Sequence, residues 1–321
     1  MKKEAFKKLL QSLGELNTYQ DRVLREKLKR KAEKKGVSHQ LETPYEAVVC
    51  PMCASVEVVR WGKRNDMQRY RCKSCKRTFN SLTGTPLARL RRKGHWLDYA
   101  DCLKAGLSVR KAARKCRVHP STAFRWRHRF LQESHGIKPQ KLEGIVEASE
   151  VYFERSKKGQ RQSHLSSKNA KRSETAEKVC VLISRDRNHN VYDALLEEFT
   201  PHELRKVLQS HLARDVLFCS DNNLVYRHFT AENEIRHGYI NLKQGERVKK
   251  DIVHLRYVSD YQEKLKGWIL GHFRGVATKY LPNYLAWMRE LDEFEGKISP
   301  LTFLLRAKGG GVYKDQPLKR T

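Results

Sequence analysis

Two CxxC pairs lie in the first quarter of this chain, and they constrain its fold more than any other feature. Cys50 and Cys53 are followed by 18 residues and then by Cys72 and Cys75. Each CxxC turn places two thiolates on one side of a tetrahedron, so two turns joined by a hairpin complete a closed zinc site. A redox dithiol needs only one pair, and buried free thiols need no fixed spacing. The spacing therefore predicts a zinc ribbon whose metal is structural.

The chain carries a large excess of positive charge. Its 321 residues include 66 Lys and Arg against 36 Asp and Glu, a net charge of +30 with neutral histidine. Such a balance favours a polyanionic partner such as nucleic acid. No run of about 18 apolar residues occurs, so the sequence predicts no membrane span and a cytoplasmic protein. The four other cysteines stand singly among apolar residues, a pattern typical of reduced thiols.

A basic helical pattern covers residues 87–131. Ser108 can cap a first helix over 109–115, and Pro120 starts a second helix that runs to about Phe130 after a short turn. This is the architecture of a helix-turn-helix, although an ordinary basic helical hairpin is the alternative. Five side chains of the second helix are predicted to be free for a DNA major groove and its phosphates: Ser121, Thr122, Arg125, Arg127 and Arg129.

From Leu142 the sequence alternates β-prone and helical segments. Three strand candidates between 144 and 196 precede a helix candidate at 202–213 and a short apolar strand at 215–220. In a three-strand, helix, strand order the first strand lies beside the fourth, so acids on the first strand can meet Asp221 at the end of the fourth. Carboxylates there would bind the divalent cations that phosphoryl transfer on DNA uses. Alternatively, Asp221 only caps the helix that follows.

These patterns divide the chain into five segments and predict an α+β multidomain fold. A charged arm, interpreted as flexible or as a solvated helix, precedes the ribbon, and a loose tail ends the chain. The predicted bounds are 1–42 for the arm, 43–82 for the zinc ribbon, 87–133 for the helix-turn-helix, 142–300 for the α/β core and 301–321 for the tail.

The motifs, taken in order, resemble a known family. CPMC with CKSC, LSVRKAARKCRVHPSTAFRWRHRFL, GIVEASEVYF with a following KKGQR, CSDNN and the segment from His254 to Arg289 look like the zinc-ribbon insertion-sequence transposases of bacteria, of the ISXO2-like DDE type. The resemblance covers roughly residues 43–295. It implies a ribonuclease H-like, integrase-type core with a mixed sheet, carboxyl-terminal helices and a magnesium or manganese site.

Two metal-ligand positions of that family are serine in this chain. The family's first aspartate falls at Ser149, and its third ligand, usually an asparagine, falls at Ser259. The second aspartate matches Asp221, which the resemblance makes a magnesium ligand. A lysine of the family that would contact substrate phosphate matches Lys266.

Three neighbouring acids are candidates to replace the missing ligands. Glu147 shares the strand face of Ser149, because side chains alternate with a period of two, and Glu150 points to the other face. Glu263 shares a helix face with Ser259. Because a serine supplies no negative charge, we expect metal-dependent strand cleavage to be weak or absent.

The leading prediction is a DNA transposase that binds the terminal inverted repeats of an insertion sequence and catalyses strand cleavage and transfer. The alternative is a catalytically inactive DNA-binding protein of transposase descent. An RNA-binding or transcription-associated zinc-ribbon protein would leave the carboxyl-terminal half unexplained. The expected partners are terminal-repeat and target duplex DNA, a second copy in a homodimer or larger synaptic assembly, structural zinc, and magnesium or manganese if the enzyme is active. We expect the protein at the bacterial nucleoid.

Overall fold

The computed structural model describes residues 4, 12–42, 48–132, 141–156, 177–249, 252–273, 275–294 and 297–309. The chain forms two compact units, one made of residues 1–130 with 299–321 and the other of residues 131–298. The KKGQR segment, most of the charged residues that open the predicted arm and the tail after residue 309 lie outside the described residues. Among the described helices, none has both the length and the apolar composition that a bilayer crossing requires.

The helices and strands follow one another along the chain in a fixed order. They are α1 (Thr18–Leu41), β1 (Val58–Arg64), β2 (Met67–Cys72), β3 (Thr78–Phe79), α2 (Trp96–Lys104), α3 (Val109–Lys115), α4 (Pro120–Phe130), β4 (Ile145–Glu154), β5 (Lys178–Asp186), β6 (Val191–Leu196), α5 (Pro201–Leu208), β7 (Leu217–Asp221), α6 (Leu224–Glu232), β8 (Arg236–Ile240), α7 (Arg256–Lys266), α8 (Leu281–Glu293) and α9 (Pro300–Lys308).

Helix α1 is part of the first unit. It begins with a capping box in which the side chains of Asn17 and Gln20 each accept a hydrogen bond from the other's backbone N–H. Its last turn is packed, because Val37 and Leu41 are fully buried. The helix contacts the short 3-10 turn Lys93–His95 that precedes α2. The end of the predicted arm is therefore fixed to the unit.

The ribbon is an antiparallel sheet in the order β1-β2-β3. Asn65 and Asp66 form the tight turn between β1 and β2 with φ of 53° and 62°, the left-handed conformation that such hairpin turns need. Tyr70 and Phe79 pair across β2 and β3 and fill the small core with the cysteines. The predicted hairpin between the two CxxC turns is confirmed.

Four helices form the rest of the first unit. The rings of Trp96 and Tyr99 on α2 meet Phe130 on α4 edge to face at 6.1 and 5.5 Å. Helix α9 packs on α2 and α4 and buries Phe303 and Leu304. The segment expected to be a loose tail thus begins as a packed helix, since its apolar side chains complete this core.

The second unit contains a mixed five-stranded sheet in the order β6-β5-β4-β7-β8. Strands β4, β5 and β6 pair antiparallel, whereas β7 pairs parallel with β4 and with β8. The predicted mixed sheet is confirmed, with the first strand beside the fourth. Strand β8 was not predicted. Gly238 interrupts the run of β-prone residues in this strand. A Cβ atom at this position would lie 2.7 Å from a methyl group of Val253.

Helices cover both faces of this sheet. Val151 and Phe153 of β4 pack in one core cluster with α7 and α8, and Val146 and Ala148 pack in a second cluster with α5 and α6. Pro282 lies in the first turn of α8, where its missing N–H needs no partner.

Candidate functional site

The four cysteines of the ribbon converge on one point. The Sγ atoms of Cys50 and Cys75 are 3.6 Å apart, and those of Cys53 and Cys72 are also 3.6 Å apart. All four sulfurs lie within 4.8 Å of one another. A tetrahedral zinc with Zn–S bonds of about 2.3 Å separates its sulfurs by about 3.8 Å. The site therefore fits a zinc ion closed on all sides by protein.

Local hydrogen bonds favour the thiolate forms of Cys72 and Cys50. At Cys53, by contrast, a hydrogen bond from the Ser55 backbone is outweighed by burial and the neighbouring thiols, which raise the pKa of Cys53 to about 11. The backbone N–H of Cys75 lies 3.4 Å from Cys72 Sγ, and it is the main cause that lowers the pKa of Cys72 to about 6. A lower pKa helps zinc binding, because the metal ligand is the thiolate.

The helix-turn-helix has the predicted bounds. The side chain of Ser108 caps α3 by accepting a hydrogen bond from the backbone N–H of Lys111, and α4 runs from Pro120 to Phe130. The small residues Ala112, Ala113 and Ala123 are buried, which lets the two helices approach closely.

Helix α4 presents four of its five candidate DNA contacts on the surface, but not the fifth. Ser121, Arg125 and Arg129 are exposed, and Thr122 is half-buried. Arg127, predicted to contact DNA, is instead fully buried, and its guanidinium donates a hydrogen bond to the carbonyl of Leu107. The reason is helical periodicity, since Arg127 lies one turn after buried Ala123 and beside buried Trp126.

In the second unit, Asp221 is the last residue of β7, next to β4. The parallel register pairs Ile145 with Leu217 and Glu147 with Cys219. Continued by two residues, this register places Asp221 level with Ser149. Asp221 does not cap α6, because that role belongs to Asn223, whose Oδ1 accepts a hydrogen bond from Val225 N at 2.9 Å.

Glu147 has structural partners on both carboxylate oxygens. It is fully buried, and its Oε2 accepts a hydrogen bond from the backbone N–H of Val258 at 2.9 Å in the first turn of α7. Its Oε1 lies 2.7 Å from Arg187 Nη1 and 3.1 Å from His254 Nδ1. Burial raises the pKa of Glu147, and the Val258 N–H and Arg187 oppose that rise. Glu147 thus holds the start of α7 against β4.

Glu150 lies on the opposite face of β4. Its Oε2 accepts a hydrogen bond at 2.7 Å from the hydroxyl of Tyr226, a fully buried residue of α6. Burial is the main cause that raises the pKa of Glu150, and the charge of Asp221 raises it further. Glu150 therefore interacts electrostatically with Asp221.

The remaining candidates lie on the exposed side of α7. Val258, Tyr261 and Leu265 bury the inner face of this helix. Ser259, Glu263 and Lys266 are all exposed. Ser259 immediately follows Val258, whose backbone N–H Glu147 binds, so this buried carboxylate ties α7 to β4.

Three family models match successive parts of the chain. Residues 47–76 match the InsA N-terminal domain, a zinc ribbon, residues 87–137 match a homeodomain-like domain, and residues 141–289 match the ISXO2-like transposase domain. The third match spans the whole five-stranded sheet with α7 and most of α8. Residues 141–289, just under half of the chain, are therefore similar to the ISXO2-like transposase domain.

A relative of this chain comes from a mobile element. A protein of Halobacterium salinarum, described as an uncharacterised protein in transposable element ISH50, is 26% identical over 246 residues, which cover 74% of this chain and 83% of the relative. The chain is thus related to insertion-sequence proteins over most of its length. The predicted zinc ribbon, helix-turn-helix and transposase domain are confirmed, and the ribbon is a site for structural zinc.

The transposase domain does not assemble a comparable set of acidic ligands. Over the described ranges, the four cysteines form the one group of three or more Cys, His, Asp or Glu residues whose ligand atoms converge. Asp221 has Glu150 as an acidic neighbour, while Ser149 and Ser259, which the resemblance places at the other two ligand positions, carry no charge. The residues present therefore do not fit the two-cation site that the DDE resemblance implies.

Sequence reasoning missed Arg187 and His254. Both are bound to Glu147, yet they lie in the turn after β5 and just before α7, far from it along the chain. A signal was present, because a glutamate inside an apolar strand requires buried partners. The sequence did not indicate which residues would supply them.

Proposed function

We propose that this protein binds duplex DNA at the terminal inverted repeats of an insertion sequence, and that strand cleavage and transfer are weak or absent in this chain. The observation that carries the proposal is the place of Ser149, a neutral side chain level with Asp221 on the adjacent strand. A transposase-type architecture is retained around a site that lacks two of its three ligands.

The binding part of the proposal is supported by helix α4. Its buried side holds it on a core of aromatic rings, while Ser121, Arg125 and Arg129 remain at the surface. A rigid helix with exposed Arg and hydroxyl side chains suits a DNA major groove. The zinc ribbon adds eight further basic residues between Arg60 and Arg77, which suit backbone phosphates.

The proposal that cleavage is weak or absent is supported by the charge of the ligand positions. Two divalent cations bring four positive charges to the site, and the DDE mechanism relies on carboxylates to hold them. Asp221 supplies one negative charge, and Ser149 and Ser259 supply none. Lys266 would still be available at the surface of α7 to contact a substrate phosphate.

A second candidate function is an active transposase that uses Glu150 in place of the first aspartate. The observation that favours it is the electrostatic effect of Asp221 on the pKa of Glu150. In that case Glu150 would leave its hydrogen bond with Tyr226 and bind magnesium or manganese together with Asp221, and exposed Glu263 would supply the third carboxylate.

Under either candidate, the protein acts where the element's DNA lies, at the nucleoid. Pairing of two element ends requires two DNA-binding surfaces, so we include a homodimer or larger assembly on DNA in the proposal. Light scattering of the protein with one and with two end duplexes would measure that assembly.

The experiment compares four purified proteins on duplexes that carry the terminal repeats flanking the gene. They are the wild type, Asp221→Ala, the double variant Ser149→Asp/Ser259→Asn, and that double variant combined with Asp221→Ala. Nicking and strand transfer are measured with magnesium and with manganese, and binding is measured on the same duplexes, on scrambled duplexes and on single-stranded RNA.

We expect all four proteins to prefer the terminal repeats and only the double variant to nick them. Wild-type nicking that Asp221→Ala abolishes would instead favour the Glu150 candidate. Equal binding to scrambled duplexes, or a preference for RNA, would overturn recognition of terminal repeats.

A further inference from the structure

A polar cavity of about 240 Å³ lies at the edge of the zinc ribbon, within the amino-terminal unit. Its walls come from the tip of the β1–β2 hairpin, from β3 and the turn after it, and from the 3-10 turn that leads into the helix-turn-helix. We call it the hairpin pocket. The residues used below are Arg64, Arg69, Thr78, Asn80, Thr83 and Lys93.

Positive charge converges on the hairpin pocket. Arg64 and Arg69 come from the two strands of the hairpin, and Lys93 comes from the turn before α2. No Asp or Glu is among the described residues that line it. Three cations around so small a volume repel one another. An anion placed between them attracts all three, which makes the total electrostatic energy of the pocket more favourable.

Neutral groups fix the shape of the pocket. Asn80 Oδ1 accepts hydrogen bonds from Leu82 N at 3.0 Å and from the Thr83 hydroxyl at 3.2 Å. The Arg69 guanidinium lies 3.4 Å from Thr78 Oγ1, and Lys93 Nζ lies 3.4 Å from the Asn65 carbonyl. These contacts hold both cations against other residues that line the cavity.

The size and lining indicate a single phosphate group. Pockets for whole small molecules typically measure about 300–1,000 Å³ and are mostly apolar. The hairpin pocket is smaller and polar. Arginine forks and a lysine are the side chains that bind phosphate oxygens most strongly.

The outer face of the same hairpin continues the basic surface. The guanidinium of Arg71 stacks on the Trp61 ring at 4.6 Å, next to Arg69 on the same face of β2. A charged surface that extends beyond the pocket suits a polymer of phosphates better than a free ion.

We propose that the hairpin pocket binds one backbone phosphate of the duplex that the helix-turn-helix contacts. This inference rests on the proposed DNA binding and adds a defined contact to it. Lys93 directly precedes α2, and the hairpin supplies the other two cations, so the bound phosphate would set the register of the ribbon on the DNA relative to helix α4.

The test uses the full chain with zinc bound and measures affinity by fluorescence anisotropy over a range of salt concentrations. The variants are Arg69→Gln and Lys93→Gln, which lie on different elements. The matched control is Lys63→Gln, which removes the same charge from the same hairpin but lies outside the pocket. Arg125→Gln serves as the comparison on helix α4.

Each phosphate contact contributes about 0.9 to the slope of log K against log salt. We therefore expect Arg69→Gln and Lys93→Gln each to reduce the steepness by up to about 0.9, on terminal-repeat and scrambled duplexes alike. Lys63→Gln should leave the slope within error of the wild type. Arg125→Gln should reduce the discrimination between the two duplexes.

A scan of single neutral methylphosphonate linkages locates the contact. One position should weaken binding of the wild type and have no effect on Arg69→Gln. Zinc content and thermal unfolding of each variant show that the ribbon is intact.

The phosphate pocket would be overturned if Arg69→Gln and Lys93→Gln left the salt slope unchanged, or if Lys63→Gln reduced it equally. DNA binding by α4 would still stand in either case. Absence of duplex binding by the wild type would overturn the proposed function itself. A third outcome is that millimolar inorganic phosphate competes with DNA at constant ionic strength and no single methylphosphonate position matters. That outcome would indicate a site for a free anion and would also overturn the proposal.

Discussion

The two ligand clusters of this chain differ in what they retain. In the ribbon, four cysteines bring their sulfurs within 4.8 Å of one another, and every position needed for zinc is filled. In the transposase domain, the sheet brings Asp221 beside β4 in the expected place, yet the position opposite it is Ser149. The backbone architecture is complete in both regions, but among the described residues only the ribbon brings three or more metal-ligating side chains together. Architecture alone therefore does not establish a reaction.

The largest expected effect is the loss of zinc. Cys72→Ser removes a ligand from a site whose binding energy, about 10–16 kcal/mol for small zinc domains, is largely folding energy of the ribbon. We expect zinc content to fall well below one ion per chain and DNA affinity to drop at least tenfold. Metal analysis and anisotropy measure these effects. Cys180→Ala, a change in the sheet of the other unit, should keep the full zinc content.

The next effect concerns the buried carboxylate in the transposase domain. Arg187→Ala leaves Glu147 buried with less positive charge near it, which costs about 3 kcal/mol for a broken buried pair. The raised pKa of Glu147 sets the sign of the pH dependence. Its ionised form is the one penalised, so the loss should grow as pH rises through the folded pKa and shrink as pH falls below it.

Urea unfolding followed by the fluorescence of Trp268 and Trp287 measures this loss. Glu147→Gln/Arg187→Ala is the matched variant, because the amide removes the unpaired charge and keeps the shape. It should be more stable than Arg187→Ala at neutral pH. Equal losses in both variants would show that the ion pair is not the cause.

Neighbouring arginines on α4 should separate stability from binding. Arg127→Ala removes a buried charged hydrogen bond, and we expect a loss of about 2 kcal/mol in unfolding free energy. Arg125→Ala should leave stability unchanged and weaken DNA binding by about 1–3 kcal/mol. Thermal unfolding and anisotropy distinguish the two. A stable Arg127→Ala variant with impaired binding would restore Arg127 as a DNA contact.

The smallest effect tests whether Asp221 has a structural role. Asn223→Ala removes the cap of α6 and should cost about 1 kcal/mol. Asp221→Ala keeps that cap and relieves the repulsion that raises the pKa of Glu150, so its stability should equal or exceed that of the wild type. Urea unfolding of both variants measures the difference. A greater loss for Asp221→Ala would make this aspartate a structural residue.

Local patterns predicted much of the molecule. The ribbon spacing, the bounds of α3 and α4 and the order of the first four core strands depend on residues close together in sequence, where turn and cap chemistry decide the outcome. The sequence also identified the face of β4 on which Glu147 and Ser149 lie, because alternation is a local rule.

Contacts between distant residues were not predictable in the same way. Burial of Arg127 depends on the carbonyl of Leu107, the pairing of Glu147 depends on Arg187 and His254, and the packing of α9 depends on α2. None of these has a signature within one helix or strand, since each depends on how separate elements meet.

Helix α9 has a consequence for biosynthesis. The DNA-binding unit is discontinuous, because Pro300–Lys308 packs on α2 and α4 although the whole transposase domain is encoded between them. During translation, Trp96, Tyr99 and Phe130 leave the ribosome long before Phe303 and Leu304 are made. The helix-turn-helix core can reach its final packing only after residue 308 has emerged, so a truncated nascent chain would expose an unfinished apolar surface.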